Sequence, residues 1–226
     1  MDKNNNMTQL ESNLKGLKES TVEMITLAKI QLQRSKTAFL EKNEDLAEEI
    51  FLSEKHLNNF ELKIDRDCEN IFALHNPVAS DLRLVIAILK VISDVERIGD
   101  HAEGIAGYVS QIDNEIDKKL LIKLRFNEMY EMSLKMLDMI EESFGNEDVN
   151  LARKVFKLDK SLNEIKLAAP DVISDYLQTN PQVTKQALFL FSTIRKLERV
   201  GDLIKNIAEQ LIFYTEAKVV RHKSKK

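Results

Sequence analysis

The chain has 226 residues, of which 43% are hydrophobic and 31% charged, with a formal net charge of −4 at pH 7 and a single cysteine, Cys68. This length allows one large domain or two of about a hundred residues each, and the slight negative charge argues against nucleic-acid binding. No stretch approaches the roughly 18 apolar residues of a membrane span and no internal disulfide is possible, so we expect a cytoplasmic protein without membrane insertion.

Helix-forming residues dominate the chain, while Gly and Pro number only six and three. This composition predicts an all-α fold with long helices and short connections. Apolar residues at helical spacing predict a first helix over about residues 8–39. Asn43 can cap a second helix over about residues 45–74, which should end before Asn76-Pro77 because the residue preceding a proline disfavours the helix.

The second predicted helix carries a polar stripe at a spacing of four, three and four residues. Its members are Glu54, Asn58, Glu61 and Asp65. Taken alone, such a stripe is more typical of a solvated helix face than of a set of ligands.

A third helix is predicted over about residues 79–111, and the polar residues 113–117 then separate two halves. The second half repeats the plan with helices over residues 120–144, 148–177 and 182–217, and Asn180-Pro181 stands where Asn76-Pro77 stood. Pro170 should kink the fifth helix or start a new segment. The basic residues 221–226 are expected to be a solvated end.

These elements predict two similar three-helix bundles of long antiparallel helices, covering residues 1–114 and 115–226. The two bundles should form one rod or a bent pair. Their apolar helices are too long to be covered within one bundle, so we also expect the halves to pack on each other.

Each half contains a twelve-residue motif, at residues 95–106 and 197–208. The motif places Glu96 and Asp100 four residues apart, and Glu198 and Asp202 in the same way, so each pair shares one helix face. A like-charge pair at this spacing costs a few tenths of a kcal/mol, and the Gly between its members costs about 1 kcal/mol relative to Ala. Because both costs occur twice, at matching positions, we infer that the glycine and the two carboxylates have a role at each site.

One interpretation is that these acids are surface residues that pair with Arg97, Arg199 and Lys205. The other is that they hold a cation, and the duplicated surroundings favour it. Carboxylates on adjacent helices suit magnesium, manganese or iron, and zinc also accepts them. No His lies three residues after a Glu on these faces, which argues against a di-iron oxidase, and His101 is expected on the surface.

Support for catalysis is thin. The sequence has no glycine-rich phosphate loop, no nucleophile elbow and no Cys-His arrangement, and Cys68 lies on an apolar face where a thiol is usually inert. We therefore do not expect an enzyme.

Five segments together resemble the PhoU family of phosphate-transport regulators: residues 76–83, 96–102, 197–202, 206–208 and 220–222. The resemblance covers nearly the whole chain. It implies two three-helix bundles in a protein that is often a homodimer. It also implies a negative regulator that connects a phosphate-specific ABC transporter to a two-component sensor histidine kinase.

The resemblance further implies metal sites, because family members hold iron or zinc clusters, magnesium or manganese on Glu/Asp-x-x-x-Asp motifs, two per bundle. The residues carried over are Glu96, Asp100, Glu198 and Asp202 on the motif helices, with Glu54, Asn58, Asp159 and Asn163 on the second and fifth helices. The two Asn stand where the family often has Asp. An uncharged amide weakens the attraction for a hard cation, so we expect weaker metal binding here.

Two alternatives stay open. The same carboxylates could serve a metal-dependent enzyme or a metal store, or they could only solubilise a helical scaffold without metal.

Overall fold

The structure, a computed structural model, describes residues 8–217, and these contain helices but no strand. The α-helices are α1 (Gln9–Glu41), α2 (Glu44–His75), α3 (Ala79–Ala106), α4 (Lys118–Lys123), α5 (Phe126–Asn146), α6 (Val149–Thr179) and α7 (Thr184–Glu216). Short 3-10 helices, Val109–Gln111 and Pro181–Val183, follow α3 and precede α7. The all-α prediction is confirmed. The basic residues 221–226 lie outside the described residues.

The ends of the long helices follow from local sequence signals. Thr8 and Glu11 form a capping box at the start of α1, and the Asn43 side chain accepts a hydrogen bond from the backbone N–H of Leu46 at the start of α2. At the end of α2, Asn76 adopts a left-handed conformation with φ of 45°, which turns the chain towards Pro77. The Asn-Pro signals therefore mark the helix ends, as predicted.

Two predicted helices differ from the observed ones. The third helix ends at Ala106, short of the expected residue 111. The predicted fourth helix is broken at Arg125, whose φ is 52°, into the short α4 and the longer α5. Leu124 and Phe126 flank the break and both are buried. Residues two apart point about 200° from each other on a continuous helix, so the break is what buries both.

Pro170 neither ends α6 nor starts a new segment, because the helix is continuous from Val149 to Thr179. Pro170 is exposed and Ala169 beside it is buried. The ring therefore points to solvent, and burial of the opposite face maintains a helix that proline alone would interrupt.

The two halves lie side by side. Helix α1 runs antiparallel to α5, since Lys18 forms an ion pair with Glu147 at one end and Phe39 stacks on Phe126 at the other, with 5.6 Å between ring centroids. Helix α3 runs antiparallel to α7 in the same way. Near the start of α3, Arg83 donates a hydrogen bond to the backbone oxygen of Tyr214 near the end of α7. Just after the end of α3, the Tyr108 ring lies 5.3 Å from the ring of Phe189 near the start of α7, measured between centroids. The expectation of packed halves is confirmed, and their arrangement is lateral, not the end-to-end arrangement of a rod.

One hydrophobic core runs through both halves, from Leu14 in α1 to Tyr214 in α7. Helices α1, α3, α5 and α7 surround it, and the outer helices α2 and α6 pack against α1 with α3 and against α5 with α7. Among residues 8–217, no helix combines the length and the apolar content that crossing a bilayer requires. The seams between α2 and α3 and between α6 and α7 carry the predicted acidic residues.

Candidate metal centre

Three carboxylates converge between α2 and α3. Glu54 comes from α2, and Glu96 and Asp100 come from one face of α3; one oxygen of each lies within 4.8 Å of the others. Glu54 is buried, Glu96 is half-buried and Asp100 is exposed. The site is therefore an oxygen-lined pocket that is closed on the Glu54 side and open on the Asp100 side.

The polar stripe of α2 is not a solvated face. Glu54 is only 3% exposed, and Asn58, Glu61 and Asp65 are half-buried. The prediction of a solvated stripe is wrong because Glu54, Asn58 and Glu61 lie beside the carboxylates of α3, and packing between the two helices covers them. The spacing of polar residues on α2 would be the same whether water or the polar face of another helix covered them, so the sequence of α2 alone does not distinguish the two cases.

Asn58 joins the carboxylates of Glu54 and Glu96. With its amide nitrogen facing them, it donates hydrogen bonds to Glu54 Oε1 at 3.2 Å and Glu96 Oε1 at 3.3 Å. Two further oxygens, Glu54 Oε2 and Gln31 Oε1, are buried without a hydrogen-bond partner among the described residues. Because an unpartnered buried acceptor carries a desolvation cost, these two oxygens call for a proton or a cation.

Gly99 provides the space for this arrangement. A Cβ at this position would lie 2.4 Å from Leu57 Cδ2, 2.5 Å from Glu54 Oε2 and 2.8 Å from Gln31 Oε1. The absence of a side chain therefore lets both unpartnered oxygens reach the backbone of α3. This close approach explains the glycine inside the helix, which local helix preference disfavours.

The electrostatics of the pocket oppose its own ionisation. Burial, followed by the neighbouring charges of Asp100, Glu103 and Glu96, raises the pKa of Glu54 to about 8. Burial, followed by the charge of Asp100, also raises the pKa of Glu96. Within the described residues, none of these carboxylates has a basic partner in an ion pair.

A hard metal cation fits this set of residues. The donors are carboxylate oxygens with an adjacent amide, the ligands that magnesium, manganese and iron accept, and zinc also takes carboxylates. A bound cation would neutralise the repulsion and supply a partner for the buried oxygens. Glu54, Glu96 and Asp100 are the residues that would hold it, with Asn58 as a further oxygen donor after rotation of its amide.

The second half fits a metal poorly. Its equivalent carboxylates, Asp159, Glu198 and Asp202, are already paired with lysines. The Lys205 ammonium donates to Asp159 Oδ2 at 2.9 Å and to Asp202 Oδ1 at 2.7 Å, and Lys166 donates to Glu198 Oε1 at 3.2 Å. Of the two sequence interpretations, ion pairing therefore describes this half, with Lys166 as a partner that the sequence did not reveal.

Two other sequence candidates lie apart from the carboxylates. Asn163, the predicted partner of Asp159, is exposed and makes no hydrogen bond with any residue between 8 and 217. His101 is half-buried and not on the surface as expected; burial, followed by the charge of Lys196, lowers its pKa to about 4. The charges of Lys196 and Arg199 on α7 both act on His101, which the sequence motif alone did not indicate.

Comparison with known families gives a match over both halves. The family model described as the PhoU domain matches residues 21–109 and residues 126–211. A curated relative from Aquifex aeolicus (strain VF5), a phosphate-specific transport system accessory protein PhoU homolog, is 31% identical over 214 residues; the alignment covers 95% of this chain and 96% of the relative.

Solved structures agree with this match. The crystal structure of PhoU from Pseudomonas aeruginosa is similar with a TM-score of 0.86 and 28% identity, over 93% of this chain and 100% of that one. The phosphate transport system regulatory protein PhoU from Streptococcus pneumoniae has a TM-score of 0.80 and 26% identity, over 94% of this chain and 99% of that one. The two-bundle architecture is thus shared with both.

Proposed function

Because the chain belongs to the PhoU family, we propose that it is a non-enzymatic accessory protein that regulates a phosphate transport system. The main support for this proposal is that the family model matches both halves of the chain. The names of the relatives, which describe accessory or regulatory proteins of phosphate transport, support it.

In finer terms, the protein acts as a negative regulator that links a phosphate-specific ABC transporter to a sensor histidine kinase. Its helices offer long outer faces on α2 and α6, which the core does not use, and such faces suit contacts with partner proteins. A contact with both partners would allow the transport state to reach the kinase.

The first half also holds a divalent or trivalent metal ion between α2 and α3. The support is the convergence of Glu54, Glu96 and Asp100 together with two buried oxygens that have no hydrogen-bond partner among residues 8–217. When bound, the metal supplies positive charge that joins the two helices. Gly99 leaves space for the buried oxygens of Glu54 and Gln31, and Asn58 orients the carboxylates of Glu54 and Glu96.

Deletion of the gene tests the regulatory role. In phosphate-rich medium the deletion strain should express phosphate-starvation genes, because the negative regulator is missing, and the full chain supplied in trans should restore repression. A strain whose expression is unchanged by the deletion would contradict the proposal. A metal store or metal-dependent enzyme would instead change cellular metal content or a metabolite and leave phosphate-starvation expression as it was.

Complementation with E96Q/D100N then separates regulation from metal binding. Repression should be weakened if the metal joins α2 to α3 in the active form. Full repression by this variant, with metal binding lost in the purified protein, would show that the regulatory function does not need the metal.

A further inference from the structure

The two acidic seams are equivalent in structure. A Cβ on Gly99 would meet Leu57 and Glu54, and a Cβ on Gly201 would meet Leu162 and Asp159 in the same way, at 2.5 Å and 3.7 Å. Leu162 and Asp159 each lie 105 residues after Leu57 and Glu54 in the sequence. Positions in the two seams can therefore be compared one by one.

At two of these positions the charge is reversed. Lys205 of α7 occupies the place of Glu103 in α3, and Lys166 of α6 occupies the place of Glu61 in α2. At five equivalent positions the first seam thus has five carboxylates, and the second has three carboxylates and two ammonium groups. The members of the first are Glu54, Glu61, Glu96, Asp100 and Glu103.

A buried oxygen is lost as well. Gln31 of α1, whose Oε1 has no partner within the described residues, corresponds in sequence to Met136 of α5, which is fully buried. Two features that favour a cation in the first seam are therefore missing from the second: the excess of negative charge and the buried amide oxygen of Gln31.

The position of Lys205 makes it a substitute for a cation. Its ammonium hydrogen-bonds one carboxylate on α6 and one on α7, so it joins the same two helices that a metal would join. Burial alone would lower the pKa of Lys205, but the bonds to Asp202 and Asp159 outweigh burial and raise it. The ammonium is charged at neutral pH, and a metal ion could not occupy the space between these carboxylates without displacing it.

We propose that Lys205, assisted by Lys166, replaces the metal in the second half, so that the chain binds divalent metal in the first half alone. The second seam is a metal-independent contact between α6 and α7. This inference rests on the proposed metal site of the first half, and it differs from the expectation that both halves hold metal.

Matched double variants test the proposal. E96Q/D100N and E198Q/D202N make the same changes at equivalent positions, and Mn²⁺ binding to each purified full chain is measured by equilibrium dialysis, with circular dichroism to verify folding. We expect E96Q/D100N to weaken Mn²⁺ binding by more than the roughly 10- to 100-fold that outer-shell substitutions cost. E198Q/D202N should leave both the affinity and the amount of bound Mn²⁺ unchanged. A loss of bound Mn²⁺ in E198Q/D202N would overturn the proposal.

A gain-of-binding variant separates this inference from the proposed function. K166E/K205E gives the second seam the charges of the first and should bind Mn²⁺ even when E96Q/D100N is also present. If this variant does not fold without metal, the single variant K205E serves the same purpose, because it removes the bridging ammonium and leaves Lys166 in place. No gain of Mn²⁺ in any folded variant of this kind would overturn the inference. Absence of Mn²⁺ from the wild type would instead contradict the proposed site of the first half.

Discussion

Gly99 and Gly201 occupy equivalent positions in the two seams, but their surroundings differ. An added methyl group at Gly99 would meet Leu57, Glu54 and Gln31 within 2.8 Å, whereas at Gly201 only the end of the Leu162 side chain lies that close. Gly16, in α1, has nothing within 4 Å of the added atom. Substitution by alanine at these three glycines therefore meets three different degrees of steric crowding, highest at Gly99 and lowest at Gly16.

We expect Gly99→Ala to lower the free energy of unfolding by about 1–3 kcal/mol, the usual effect of overpacking a filled space. Gly201→Ala should be closer to neutral, since Leu162 can move and the helix gains about 1 kcal/mol from the loss of glycine. Gly16→Ala should be stabilising by up to about 1 kcal/mol. Urea unfolding of the three variants measures the series, and equal effects at Gly99 and Gly201 would contradict the described packing.

Glu54 gives the metal-free protein a dependence of stability on pH. Because burial and then the neighbouring charges raise its pKa from 4.5 to about 8, the folded protein retains a proton that the unfolded chain releases. The stabilisation is complete below pH 4.5 and is lost as the pH rises towards 8. In the presence of chelator, the contribution of Glu54 to the melting temperature should therefore decline across this window.

Glu54→Gln should flatten that decline and raise the melting temperature at the alkaline end, since the amide stays uncharged. Thermal melts in chelator from pH 5 to pH 8 measure this, with the exposed Glu48→Gln as the control that should follow the wild-type profile. Identical profiles for Glu54→Gln and wild type would show that Glu54 does not titrate in this window.

At the residue scale, the motif predicted which carboxylates of α3 and α7 share a face. It did not predict the burial of Glu54 or the contribution of Gln31, because both depend on how α1 and α2 cover α3. The Lys205 pairing was one of two interpretations, and only the distances to Asp159 and Asp202 decide between them.

At the scale of single elements, α6 continues as one helix through Pro170. Proline at an interior position removes one backbone hydrogen bond and its ring crowds the carbonyl of Lys166, at a cost of about 3 kcal/mol. The exposed position of the ring leaves no packing interaction that would offset this cost.

Pro170→Ala should therefore raise the free energy of unfolding, by about 1–3 kcal/mol. Asp171→Ala, at the exposed neighbouring position, is the control and should change stability by less than about 1 kcal/mol. Chemical unfolding of both variants measures the difference. A destabilised Pro170→Ala would mean that the rigidity of proline outweighs the lost hydrogen bond.

Helix number and helix ends could largely be predicted, because caps and Asn-Pro pairs act through neighbouring residues. The break at Arg125 could not, since no Gly or Pro marks it. Burial of Leu124 and Phe126 in a core shared with distant helices favours the break, and tertiary packing of this kind leaves no local signal.

At the scale of the whole molecule, one core runs through both halves. The halves should therefore unfold together, although the sequence divides them into two bundles of similar plan. We expect a single calorimetric transition whose measured enthalpy equals the van't Hoff enthalpy. Two resolved transitions would show that each half, as bounded at residues 1–114 and 115–226, is stable without the other.

Exposed apolar side chains on the outer helices favour association of two chains. Several large apolar side chains stay exposed, among them Leu52 on α2 at 66% and Leu167 on α6 at 63%. We expect a homodimer, because a second copy would cover such residues, and light scattering coupled to size exclusion measures the mass. A monomer at every accessible concentration would contradict it. The measurement in chelator should give the same mass, since the proposed metal lies within one chain.

The antiparallel contacts of α1 with α5 and of α3 with α7 relate the halves as a two-fold axis relates the subunits of a dimer. In a dimer of identical chains, every substitution appears at both sites at once, so a lysine that fills one acidic seam would fill the other. A tandem duplication within one gene removes that constraint. Evolution could then place Lys205 in one repeat and retain Glu103 in the other, which gives a structurally symmetric scaffold two seams of different chemistry.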